Sequence, residues 1–222
     1  MKVGGFLKFS TLDYPGKLSS VIFCQGCSLR CVYCHNPDLQ DCSKPGNIEF
    51  SDVLSFLKSR VGLLDAVVFS GGEPLLQPGL KEAMIEVRKL GFLVGIHTSG
   101  ILPQVFESIL NTVDWVGFDI KTIFETYERI TGINDSGKYA QTSFEQLLLS
   151  DTEYEVRTTF DPRFISAKDL VSIAQYLCKN GVQKWVLQEC ILRNEENAKL
   201  LLPNELIIDE LEQYIKVELR KE

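Results

Sequence analysis

Nowhere do the 222 residues run apolar without interruption for anything near the roughly 18 that a membrane span needs. The opening MKVGGFLKFSTLDYPGK also lacks an apolar stretch closed by small residues, so neither export nor a membrane partner is expected, and the protein is read as cytoplasmic. Basic charge is in deficit. With 23 Lys and Arg against 30 Asp and Glu the formal net charge is -7, which argues against nucleic acid, whose phosphates require clustered cations. No repeat, low-complexity tract or Gly/Ser-rich linker breaks the chain, and its 45% hydrophobic and 24% charged residues are expected to form one globular domain over residues 1–222.

Cysteine, by contrast, is plentiful and unevenly spread. Four of the seven cysteines, Cys24, Cys27, Cys31 and Cys34, crowd into one run. In a reducing cytosol an odd, clustered set excludes a disulfide framework and points to metal binding or redox chemistry. The isolated Cys42, Cys178 and Cys190 carry no such signal.

Short β-rich runs alternate with longer segments of helical period. The predicted strands cover residues 19–24, 66–70, 93–98, 115–120, 154–159 and 184–188, and the predicted helices 51–60, 78–90, 103–110, 141–149, 168–180 and 204–219. Ser51 or Asp52 is placed to cap the first helix, while Gly91 and Gly181 follow helix ends where a left-handed residue is favoured. Strands joined by crossover helices pair in parallel, so the chain is α/β, and six units fit either an open doubly wound sheet or an incomplete (β/α) barrel. Ser70-Gly-Gly-Glu-Pro, His97 to Gly100, Asp119-Ile-Lys121, Arg157-Thr-Thr and Gln188-Glu all fall at or just past strand ends. In both architectures that rim binds ligands, so these polar residues and the cysteine loop converge on one mouth. Trp115 and Trp185 lie within apolar strands and are expected in the core.

Structural zinc usually draws cysteine pairs from separate knuckles, whereas an iron–sulfur cluster accepts thiolates crowded in one loop. The Cys27-x3-Cys31-x2-Cys34 spacing suits a [4Fe-4S] cluster with one iron left open. Cys24 ends a strand outside that pattern and is read as a packed core thiol.

The three-cysteine loop after the first strand, with Tyr33 before its last cysteine, and Gly71-Gly72-Glu73-Pro74 after the second strand resemble the radical S-adenosylmethionine superfamily across nearly the whole chain. Three further segments, residues 10–16, Cys34-His-Asn-Pro37 and 154–159, are similar to anaerobic ribonucleoside-triphosphate reductase activating proteins, relatives of the pyruvate formate-lyase activating enzyme. The resemblance implies a partial (β/α)6 barrel and two cofactors, the [4Fe-4S] cluster on Cys27, Cys31 and Cys34 and S-adenosylmethionine at its open iron. Reductive cleavage would then yield a radical that is passed to a glycine of a glycyl radical enzyme, here a class III ribonucleotide reductase. A low-potential donor such as flavodoxin or ferredoxin would supply the electron. No side chain is assigned a catalytic role of its own, because the cofactors carry the hard step.

The same resemblance distributes the binding roles. Gly71, Gly72 and Glu73 would meet the ammonium of the cofactor, Lys121 or Arg157 its carboxylate or ribose region, Tyr33 its adenine, and Gln188 either adenine or carboxylate. Thr98 and Asp119 resemble a monovalent-cation site, in which His97 stands where a carboxylate is usual. His35 and Asn36 shape the loop or the site. Three other readings stay open: a radical enzyme acting on a small molecule, of the 7-carboxy-7-deazaguanine synthase kind; the activase of another glycyl radical enzyme; and a zinc-holding binding module. An Asp usually follows the last cluster cysteine in the synthase; here it is His35.

Overall fold

Strands that are apolar on both faces must be covered on both sides, and the computed structural model, which describes residues 1–190 and 203–220, meets that demand by coiling one sheet inside a layer of helices. The strands are β1 (Val3–Ser10), β2 (Ser19–Cys24), β3 (Ala66–Gly71), β4 (Leu93–Thr98), β5 (Trp115–Asp119), β6 (Glu153–Phe160), β7 (Lys184–Glu189) and β8 (Lys216–Arg220). They lie in the sheet in chain order, with β1 antiparallel to β2 and every later pair parallel. A doubly wound sheet reverses its strand order partway. This one does not, and the ambiguity left by periodicity resolves to the partial barrel.

The helices are α1 (Phe50–Lys58), α2 (Leu80–Lys89), α3 (Pro103–Ile109), α4 (Glu128–Thr131), α5 (Ser136–Leu148), α6 (Ala167–Lys179) and α7 (Glu205–Leu211). Gly91 and Gly181 take left-handed conformations after α2 and α6, as expected. The expected cap at Ser51 or Asp52 is not used: α1 begins at Phe50 with Glu49 before it and no side-chain hydrogen bond there. Ser166 instead supplies a capping box for α6, accepting from the Asp169 amide at 3.1 Å while Asp169 accepts from the Ser166 amide at 2.9 Å.

Three expectations are corrected. The sheet has eight strands where six were expected, because β1, interrupted by Gly4 and Gly5, carries little strand signal of its own and is stabilised by pairing with β2. The predicted helix 204–219 divides into α7 and β8; Val217 and Leu219 pair beside Trp185 and Leu187, and Lys184 reaches Glu218 at 2.9 Å. Finally, α5 starts five residues early, at Ser136, since Gly137 lets its first turn lie against the Phe124 carbonyl.

Alternation along the strands divides the core. Ile22, Val67, Phe69, Val94, Ile96, Val116, Phe118 and Trp185 face the helices in one large cluster. Residues of the other parity face inward, where Tyr14, Val21, Ala66, Val68 and Trp115 form a small separate cluster that floors the barrel. Both tryptophans are buried, as expected. Above that floor the inward positions become polar.

Candidate functional site

A cavity of about 490 Å³ opens at the C-terminal ends of the parallel strands. Inward-facing Phe23, Ser70, His97, Asp119, Arg157, Thr159, Gln188 and Arg220 line it, one or two from each of β2 to β8, together with the cysteine loop and the turn after β1. Residues following the first strand and residues of the last therefore share one cavity. The sheet curls until its two unpaired edges flank the same opening.

Cys27, Cys31 and Cys34 all reach this cavity and are partly exposed, whereas Cys24 is fully buried. Burial pushes the Cys27 thiol up to about 12, with the Glu73 charge adding to it. Cys31 is raised too, by burial, though the Lys121 charge works the other way. Among the described residues no group of three or more His, Cys, Asp or Glu is arranged to hold a single metal ion.

The loop is held against the Gly71-Gly72 strap by backbone bonds. Gly72 N donates to Cys24 O and Glu73 N to Gly26 O, each at 2.9 Å, and a Cβ on Gly72 would collide with the Gly26 carbonyl. Gly71, at φ +102, would likewise press on the backbone of Phe23 and Cys24. The glycines serve first to bring the strap onto the cysteine loop, a close approach that no larger residue permits.

Glu73 lines the cavity but is only 2% exposed, and its carboxylate is fully engaged. Oε1 accepts from Thr98 Oγ1 at 2.6 Å and Leu75 N at 3.2 Å, and Oε2 from Ser99 Oγ at 2.5 Å and Ser99 N at 3.0 Å. Burial raises its pKa, while the Ser99 and Thr98 bonds oppose the rise. Four donors occupy four lone-pair directions. In this structure, then, Glu73 holds its neighbours, and toward the ammonium expected beside it the carboxylate contributes negative potential from within.

Asp119 sits between two cations. Arg157 reaches its Oδ1 at 2.7 and 3.0 Å, and Lys121 Nζ lies 3.8 Å from its Oδ2. Burial alone would raise the Asp119 pKa, but Arg157 and Lys121 outweigh it and hold it below the usual value. Burial disfavours the Lys121 ammonium as well, and the opposing charges of Cys31 and Asp119 raise its pKa despite that. Gly117 has no side chain, which leaves room for the Arg157 guanidinium.

The side chains that resemble a cation site are already engaged in this structure. Thr98 Oγ1 donates to Glu73 and accepts from Gly100 N at 3.0 Å, and Asp119 is already neutralised. His97 Nε2 donates to the Asp13 carbonyl at 2.9 Å, which assigns the tautomer, so Nδ1 accepts from Ser70 Oγ at 3.2 Å. Burial first, then the Arg157 charge, pushes its pKa down to about 3. His97 is a neutral tie between β4, β3 and the turn after β1.

The remaining expected residues, Tyr33, His35, Asn36 and Gln188, also line the cavity. Tyr33 Oη is buried without a hydrogen-bond partner among the described residues. Ser99 and Thr159 lay in segments already expected at the mouth but were given no role, while Leu12, Asp13 and Arg220 were missed as lining residues. Period-two alternation from Arg157 points to Thr159, and the Ser10-to-Gly16 motif contains Leu12 and Asp13. Arg220 had no signal once its segment was read as helix.

The radical SAM superfamily profile matches residues 21–147. A candidate glycyl-radical enzyme activating enzyme of Methanocaldococcus jannaschii is 33% identical, over 94% of this chain and 89% of that protein. The pyruvate formate-lyase-activating enzyme of Clostridium pasteurianum is 38% identical over 57% of this chain and 55% of its own. Among solved structures, Streptococcus suis SuiB bound to S-adenosylmethionine superposes with a TM-score of 0.68 at 14% identity, over 91% of this chain and 49% of that one. The chain thus spans about half the length of the Clostridium relative and of SuiB. By its profile match and its near full-length relative, the chain belongs to the radical SAM superfamily and, within it, to the glycyl-radical enzyme activating enzymes.

Proposed function

We propose that this protein, as a single domain, activates an anaerobic glycyl radical enzyme, the class III ribonucleoside-triphosphate reductase, with Cys27, Cys31 and Cys34 holding a [4Fe-4S] cluster. The observation that carries the reading is the meeting, at one cavity open along its side, of three thiols, a paired set of charges and the unpartnered Tyr33 hydroxyl. These residues fit the two cofactors: three thiols from one loop line a single cavity, and Tyr33 Oη has a hydrogen bond to give. Held by Cys27, Cys31 and Cys34, the cluster together with S-adenosylmethionine would supply the one-electron chemistry needed to remove a hydrogen atom from a glycine α-carbon of the partner.

The chain's own part is to bind, orient and exclude water. Lys121, whose ion pair with Asp119 is long at 3.8 Å, keeps donors for the cofactor carboxylate. Arg157 fixes Asp119 so that it stays ionised and leaves Lys121 in place. Glu73, held by Thr98 and Ser99, orients the Gly71-Gly72 strap, whose main chain is free of side chains on the ligand side, and adds the negative potential that suits an ammonium. Tyr33 lies by the adenine. A low-potential flavodoxin or ferredoxin delivers the electron.

The ribonucleotide reductase is favoured over other glycyl radical enzymes by the 10–16 and 34–37 segments. The test is anaerobic reconstitution with iron and sulfide, followed by mixing with S-adenosylmethionine, reductant and the reductase from the same organism. A glycyl doublet in the electron paramagnetic resonance spectrum that needs every component is the expected result. Cofactor cleavage without that doublet, joined to turnover of a small molecule, would move the assignment to the deazaguanine synthase kind.

A further inference from the structure

The hydrogen-bonding capacity of the cavity is unevenly distributed. Beside the cysteine loop it is charged: Glu73, Asp119, Lys121 and Arg157 are tied to one another or to neighbouring backbone. At the opposite wall Arg220, the one charged side chain contributed by β7 and β8, is held by Glu155 at 2.7 and 2.9 Å and by Glu218 at 2.8 Å. Between that paired arginine and Arg157 stand two neutral polar residues, Thr159 on β6 and Gln188 on β7. They are direct cross-strand partners, they both line the cavity, and neither side chain has a hydrogen-bond partner among the described residues.

We propose that Thr159 and Gln188 form the subsite that reads a main-chain amide of the polypeptide substrate next to its target glycine, an inference that rests on the activase reading. The chemistry of the pair matches a peptide group. A glutamine amide offers one acceptor and two donors, and a threonine hydroxyl donates or accepts, so together they pair with a backbone N–H and C=O at once. Among the described residues of this wall the cation, Arg220, is already paired, which disfavours a carboxylate or phosphate. Position agrees with chemistry: β7 and β8 form one flank of the opening, and Leu12 and Asp13 after β1 form the other. Gln188 lies one strand in from the β8 edge, beside Arg220. Leu12, 74% exposed at the opposite lip, offers an apolar contact that any passing side chain can use, whereas the amide contact is independent of side chains. Glycine-containing segments have no side chain at the reacting residue to recognise, so main-chain reading supplies register there.

The test compares Gln188→Met and Thr159→Val, which keep size and remove hydrogen bonding, with the unaltered reconstituted protein. S-adenosylmethionine affinity is measured by titration without partner, and glycyl radical formation is measured against the concentration of the full-length glycyl radical enzyme. The expected result is a rise of about tenfold or more in the half-saturating partner concentration, and more 5′-deoxyadenosine released per glycyl radical, at unchanged cofactor affinity. Cofactor affinity falling in step would assign the pair to the adenosyl group instead and overturn the proposal, as would an unchanged half-saturating concentration. Failure of the activase reading shows itself earlier, in the unaltered protein, as 5′-deoxyadenosine without any glycyl radical, and the subsite proposal falls with it.

Discussion

Replacing Asp119 with Asn leaves two cations facing each other across a neutral amide. Arg157 is only 6% exposed and the Lys121 side chain 14%, so neither can turn to water for compensation. Breaking a buried pair by removing one partner costs about 3–5 kcal/mol. Because the Asp119 side chain is 32% exposed, the low end applies, about 3 kcal/mol. Arg157→Met leaves Asp119 with Lys121 still 3.8 Å away and loses two charge-assisted bonds, a cost of about 1.5–3 kcal/mol. In the double variant Lys121 alone stays charged, so the two losses overlap, and a coupling of about 1–3 kcal/mol is expected. Urea unfolding of the reconstituted protein without oxygen measures all four corners of the cycle, read from midpoints at constant slope. Additivity within about 0.5 kcal/mol would show that the two groups do not interact and would refute the account of the charged half of the cavity.

Cys31→Ala should lose cluster iron and sulfide, while Cys24→Ala should keep both and cost about 1–2 kcal/mol as a small core truncation; equal iron loss in the two would end the three-ligand assignment. Lys121→Ala should weaken S-adenosylmethionine binding by about one to two orders of magnitude with unchanged iron content, as judged by titration. Glu73→Ala, whose loss leaves four donors unmet, should show instead as a lower unfolding midpoint. His97 titrates at about 3 when folded against 6.5 ordinarily, so the unfolded chain takes up its proton first and stability drains as pH falls through that window. A His97→Gln variant should lose less stability than the unaltered protein between those two values; parallel pH profiles would contradict the neutral tie.

Local pattern was enough to locate the cysteine loop, the Gly-Gly-Glu-Pro strap, six of the strands and the ring of polar residues at their ends. Each of those is written in neighbouring residues: ligand spacing, apolar runs of strand length, glycines at turns. The inward or outward sense of each strand position follows from period two, and Asp119, Arg157 and Gln188 already marked the inner face. What tertiary structure alone decided lies in contacts between distant segments. β1 and β8 exist through pairing with β2 and β7, against weak or helix-like signals of their own. Gly72 answers to Gly26 on the cysteine loop, and Glu73 accepts from Thr98 and Ser99 at the end of the next strand. Asp119 is neutralised by Arg157, 38 residues further on. A residue's type announces that it can carry charge or donate a hydrogen bond. Which partner consumes that capacity, and therefore what is left for a ligand, is set only when the sheet closes and brings the strands side by side.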